Sequence, residues 1–252
     1  MLEVTPTAWP SDRVCFRGTP SGLAKLAAGV YRSTCRTSLD EPGFCLLDLG
    51  ASLESTAFRR AMVELKEAMS ALHELERGQS RVYLSAARFD QQTTTRPHLD
   101  GGPAESFLML GYEPSEVEAV LAIADYARCA RDLGLTPEEF LERHNPMFQA
   151  GLEMLRPYTT EIPCFSPTQY QIVCINNSFA PLGDEPAWQG TLHPATILNP
   201  DDTKRRVVNS TMIASAPLGS GDEISPEELA EFVQTSAVRR RGYDKSHLDD
   251  DR

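Results

Sequence analysis

Apolar residues along this chain follow two different periods, and the places where one gives way to the other mark out its elements. The run Gly43-Phe-Cys-Leu-Leu-Asp-Leu-Gly50 is short, apolar and closed by glycine at both ends, which predicts a buried strand. Phe58, Met62, Leu65, Met69, Leu72 and Leu75 then recur at intervals of three and four. One apolar stripe therefore runs along a helix of about residues 53 to 77, ended by Gly78, and His73 beside it reads as a packed structural histidine. Residues 81 to 95 and 105 to 112 mix β-branched, aromatic and polar side chains and read as strands. The first leads straight into Arg96-Pro-His98-Leu-Asp100-Gly-Gly102, which puts that motif at the end of a strand.

Beyond residue 112 the period changes again. Ser115 with Glu118 and Thr136 with Glu139 have capping-box spacing, Pro137 takes a first-turn position, and Val117, Val120, Leu121 and Ala124 form a helical stripe. Residues 115 to 155 are therefore expected to be a helical insert, with His144 on a solvated face. Strand character returns at 169–176, 191–198 and 205–213, three segments joined by loops only, which suits an antiparallel sheet or barrel. A last helix opens at the capping box Ser225-Pro-Glu-Glu228 and is expected over 225–240. The charged end 241–252, with His247, reads as a mobile tail. The pattern as a whole is α+β: mainly β with flanking helices.

Composition narrows the class. A chain of 252 residues with 41% hydrophobic content can bury one substantial core, so a single domain over 1–252 is expected. A formal charge of −12 argues against nucleic acid or anionic lipid as partner. The opening residues lack a basic and apolar leader, and no run of about 18 apolar residues occurs, so a cytoplasmic protein without a membrane span is expected. Cys15, Cys35, Cys45, Cys129, Cys164 and Cys174 contain no C-x-x-C pair, and in a reducing compartment they read as small buried thiols.

Two residues apart on extended backbone, His98 and Asp100 point to the same side and can converge on one ion. The same triplet also fits a turn in which Asp100 caps the backbone before Gly101-Gly102. His193, on a later strand segment, supplies a third donor. Two imidazoles and one carboxylate on one face leave three metal positions open, which suits ferrous iron better than a closed structural zinc site. The alternative for His193 is a hydrogen-bonded histidine of a barrel wall. Arg205 and Arg206 follow at the head of an apolar segment whose alternation sends them to opposite faces. The inward one needs an anion, either a structural carboxylate or a bound acid. Arg206 is preferred, because Val208, Ser210 and Met212 share its face and Ser210 adds a hydroxyl.

In this order, His98-X-Asp100, the distant His193 and the arginine a dozen residues later resemble the iron-ligand and co-substrate pattern of the Fe(II)/2-oxoglutarate-dependent dioxygenases. The resemblance covers about residues 81 to 215. It implies a double-stranded β-helix, the distorted jelly roll also seen in cupin-like proteins, with His98, Asp100 and His193 on Fe(II) and Arg206 holding 2-oxoglutarate. It further implies oxidative decarboxylation of 2-oxoglutarate by dioxygen, coupled to oxidation of a small-molecule substrate. Asp100 stands where related halogenases carry a small residue, which implies hydroxylation or a similar oxidation. The helical segment 115–155 and the 93 positions separating Asp100 from His193 depart from the pattern. Two other readings stay open: a cupin-like metalloenzyme that uses the same ligands without 2-oxoglutarate, and a non-catalytic jelly-roll protein in which the three residues do not converge.

Overall fold

The computed structural model describes residues 8–179 and 187–240, so the expected tail and His247 lie outside the described residues. A one-turn helix α1 (Ser11–Val14) runs into β1 (Cys15–Arg17), followed by α2 (Leu23–Thr34), β2 (Phe44–Asp48) and α3 (Ser55–Arg77). The long β3 (Gln79–Asp90), β4 (Ser106–Tyr112) and β5 (Ala119–Ala124) come next, then three short helices, α4 (Tyr126–Asp132), α5 (Pro137–Arg143) and α6 (Gln149–Leu155). Strands β6 (Thr159–Glu161), β7 (Gln171–Asn176), β8 (Ala195–Ile197) and β9 (Val207–Pro217) precede α7 (Pro226–Gln234) and β10 (Arg239–Arg240).

These strands make a mixed seven-stranded sheet, ordered β1-β2-β7-β4-β9-β3-β10, and a three-stranded antiparallel sheet, β6-β5-β8, with helices around them: an α+β architecture. Strand β4 shows how the layers arise. All seven of its residues are buried, because each face of the large sheet is covered. Phe107 and Met109 pack with Phe58, Met62, Leu65 and Met69 of α3, whose three-and-four spacing delivers the expected stripe as far as Leu72; Leu75, expected in it, is 85% exposed in the last turn. Leu108, Leu110 and Tyr112 point the other way, to Leu121 and Ile123 of the small sheet. A third cluster joins Tyr126, Cys129, Phe140 and Leu155 to Leu192, with Leu99 against it. Gly78 ends α3 at φ 64°, where a residue without Cβ is the easiest occupant.

Several expectations are corrected. The helix expected from residue 115 starts at Tyr126, and 119–124 is a strand; in an apolar run this short the two periods overlap, and hydrogen bonds from β6 and β8 decide. Within it Leu121 and Ile123 turn inward by simple alternation. Ser115 makes no helix cap: its Oγ accepts from the Val117 amide at 3.0 Å and donates to the Arg205 carbonyl at 2.9 Å. The boxes at Thr136 and Ser225 form as expected. Strand β3 stops at Asp90, β8 covers only 195–197, and Arg205 and Arg206 lie just before β9. The last helix ends at Gln234, short of residue 240. Cys15 and Cys164 form a disulfide across 149 positions, a pairing that spacing cannot reveal; Cys35, Cys45, Cys129 and Cys174 are buried free thiols as expected. Among the described residues no helix is long and apolar enough to cross a membrane.

One buried ion pair ties these parts together. The Arg36 guanidinium donates to both Asp125 oxygens at 2.8 and 2.6 Å, and to the carbonyls of Glu41, Gln189 and Gly190. It thereby fastens the end of α2 to the N-cap of α4 and to the segment that leads to His193. His73 is fully buried, held by the Tyr31 hydroxyl and the Ser215 hydroxyl, each at 2.9 Å.

Removing one partner of a buried pair strands the other charge. Asp125→Ala is therefore expected to lower unfolding free energy by about 3 to 5 kcal/mol in urea titration. Burial, with Arg81 and Arg77 adding to it, pushes the His73 pKa down from 6.5 to about 3. The unfolded chain takes up the proton that the fold refuses. This residue's contribution is then complete above about pH 6.5 and is lost as pH falls toward about 3. Urea midpoints measured from about pH 7 down to pH 5 should fall more steeply for the native protein than for His73→Gln.

Candidate metal centre

The loop after β3 runs beside the segment around β8. The Thr95 amide donates to the Ala195 carbonyl at 2.8 Å, and the Ala195 and Ile197 amides donate to the hydroxyls of Thr95 and Thr94, each at 3.0 Å. The His193 amide donates to the His98 carbonyl at 3.1 Å, which sets the two imidazoles side by side with ring centres 4.3 Å apart. Any side chain at position 190 would run into the Ser178 carbonyl, so Gly190 lets this segment pass tightly over the end of β7.

Asp100 is positioned by its backbone. Its amide donates to Asn177 Oδ1 and its carbonyl accepts from Asn177 Nδ2, both at 2.9 Å; Asn177 is buried just past β7. Asp100 Oδ1 then lies 3.4 Å from His98 Nε2 and 4.0 Å from His193 Nε2, and ligand atoms of the three residues all fall within 4.8 Å of one another. Two donors bound to one ion at about 2.1 Å sit roughly 3.0 to 3.4 Å apart. The His98–Asp100 pair is thus already spaced for an ion, and His193 has to draw in by about half an ångström to join them. His98 Nδ1 lies 2.7 Å from the Arg96 carbonyl, an acceptor, so that nitrogen carries the proton and Nε2 keeps its lone pair for the shared point. The donor set of two neutral imidazoles and one carboxylate fits a divalent transition metal.

The two arginines, which lie ahead of β9 rather than in it, differ in burial. Arg205 is exposed, whereas Arg206 is only 3% exposed. The Arg206 amide donates to Asp90 Oδ1 at 3.0 Å and its Nη1 to the Gln91 carbonyl at 2.9 Å. Its guanidinium sits 5.0 Å from the Tyr112 ring centre. Nη2 is buried without a hydrogen-bond partner among the described residues. Burial pulls the Arg206 pKa below its usual value, against opposing contributions from Tyr112 and Asp90. Burial likewise raises the Tyr112 pKa, so the phenol stays protonated and can donate. One cavity of about 60 Å³ is lined by His98, Asp100 and His193 together with Arg206, Tyr112 and Ser210. Strand register explains the wall: Val208 pairs with both Phe89 and Tyr112, and Ser210 with both Ala87 and Leu110.

All six residues singled out in the sequence are thereby placed: five line this cavity, and Arg205 does not. Asn177 and Tyr112 were not singled out. Asn177 left a faint signal, a second asparagine directly after the apolar run Ile172–Ile175, where a buried amide must find partners. Arg88 pairs with Glu113 at 2.9 Å, Trp188 is core, and His144 stacks near Phe140 at the end of α5.

No protein-family model matches the chain, and no curated protein matches it by sequence. Among solved structures, a variant of the iron and alpha-ketoglutarate-dependent endoperoxidase NvfI aligns over 82% of this chain and 96% of its own, at 12% identity and a TM-score of 0.35. A likeness that slight carries no argument about function.

The Asn177 clamp generates a test of the centre. Asn177→Ala should weaken divalent-ion binding by about 10- to 100-fold, the usual effect of losing a group that orients a ligand, in a Co(II) titration followed by absorbance.

Proposed function

We propose that this chain is a non-haem iron oxygenase that uses 2-oxoglutarate as co-substrate, with His98, Asp100 and His193 as the iron ligands. The observation that carries the reading is Arg206. A buried guanidinium with an unpartnered Nη2 shares one small cavity with the three candidate ligands, and a buried cation in that state calls for an anion. A dicarboxylate reaching from the metal point to Arg206 meets that requirement. The large and small sheets facing each other across a shared core are consistent with a double-stranded β-helix forming one domain.

Ferrous iron, when bound, would supply the redox chemistry that activates dioxygen. One oxygen atom ends in succinate as 2-oxoglutarate loses carbon dioxide, and the other enters the substrate at a C–H bond. The chain's own residues do the rest. Arg206 holds the far carboxylate, and Ser210 and Tyr112 can donate to it from the same wall. Asp100 is the sole anionic ligand and holds the dication against two neutral imidazoles. Arg206 is buried, which limits the bulk water that would otherwise screen its interaction with an anion.

Loaded anaerobically with ferrous iron, the protein should bind 2-oxoglutarate and develop a visible charge-transfer band. Arg206→Ala should retain iron yet raise the 2-oxoglutarate dissociation constant by an amount worth on the order of 2 to 5 kcal/mol, read by calorimetry. Asp100→Ala should instead lose iron. If the iron-loaded native protein fails to bind 2-oxoglutarate, the co-substrate assignment is wrong.

A further inference from the structure

His98 is a wall shared by two cavities. Besides the small one that reaches Arg206, it lines a second of about 220 Å³ formed where the turn between α5 and α6 meets the metal loop. The rest of that lining is Pro97, Leu99, Leu141, Pro146, Met147 and Leu192, with Asn145. No charged side chain is among them. The turn is fastened to the loop that carries His98, because the Arg96 guanidinium donates to the Met147 carbonyl. Its outer edge is apolar and open, with Met147 54% and Phe148 68% exposed. An exposed apolar edge beside an apolar cavity is the kind of surface that takes up apolar ligands.

We infer that this second cavity receives the molecule to be oxidised, and that this molecule is neutral and carbon-rich. The inference rests on the oxygenase reading above and names its substrate class. Apart from the Arg96 guanidinium, which is engaged on the Met147 carbonyl, no side chain at this cavity offers a charge to an ionised guest, whereas a hydrocarbon skeleton gains by leaving water. Asn145 offers one amide, enough to orient a hydroxyl or carbonyl but not to neutralise an ion; its Oδ1 already accepts from the Met147 amide at 2.9 Å. Because His98 borders both cavities, a guest in the apolar one lies next to the metal point, while the acid co-substrate occupies the other. The charged and uncharged partners are sorted by which cavity has a cation.

The test uses the full chain and two probes of matched size, cyclohexylmethanol and cyclohexanecarboxylate, in ligand-observed NMR. The alcohol should bind at least tenfold more tightly than the carboxylate. With Mn(II) in the metal site, its protons should show paramagnetic relaxation. Leu141→Glu and, separately, Met147→Glu should each weaken alcohol binding at least tenfold. Both should leave the 2-oxoglutarate dissociation constant of the iron-loaded protein within twofold. Met147 is on the surface, so its variant stays informative if the one at Leu141 fails to fold. Equal binding of the two probes, alcohol binding that survives Met147→Glu, or the absence of paramagnetic relaxation would each overturn the inference. If 2-oxoglutarate fails to bind while the alcohol behaves as described, the co-substrate reading falls and the apolar site beside the metal stands.

Discussion

Four hydrogen bonds between residues 94–98 and 193–197 hold this site together, and much of the remaining structure exists to keep those two segments in register. Neither segment is a full strand. Each borrows order from what lies behind it: Leu192 exchanges backbone bonds with Ala124 at 2.8 and 2.9 Å, and Arg36 grips the carbonyls of Gln189 and Gly190. The Asn177 clamp then brings Asp100 to the same point from β7. His98 and Asp100 on one loop and His193 on another are therefore brought together by hydrogen bonds to their backbone. A site built this way can be exact without any ligand sitting on a regular element.

The chain's buried arginines show how charge is handled away from the centre and at it. Arg36 has Asp125, and Arg59 and Arg88 share Glu113 with Ser55. Arg81 is enclosed by the rings of Tyr31, Phe107 and Trp188 at 4.8, 4.5 and 5.0 Å, with Cys35 Sγ 2.7 Å from its Nη2, so aromatic faces take the place of an anion. Arg206 rests on one aromatic ring and one carbonyl, and like Arg81 it keeps guanidinium nitrogens without a hydrogen-bond partner among the described residues, but it lines the cavity of the candidate ligands.

Helices α4 to α6 interrupt the sheets, yet they are part of the site's surroundings. Their cluster includes Leu192 and takes Leu99 against it, one flanking His193 and the other between the two remaining ligands. The same insertion that lengthens the path from Asp100 to His193 supplies the apolar walls beside His98. Variation in this segment would alter what can approach His98 while leaving the three candidate ligands in place.

Reading the residues in order was enough for whatever depends on near neighbours. The stripe of α3 and the capping boxes at Thr136 and Ser225 follow from spacings of three and four, which the helical backbone imposes wherever the chain goes. The three candidate ligands were also legible, because histidine and carboxylate at an alternating spacing limit the chemistry before any fold is known. Position along the chain says nothing about partners far away. Whether 119–124 became helix or strand depended on β6 and β8. That Cys15 would meet Cys164 depended on how the N-terminal segment crosses the small sheet, and that Asn177 would hold Asp100 depended on where β7 ends. Hydrogen bonds and burial across such separations are settled only when the layers pack, since their energy comes from groups that local sequence does not bring together.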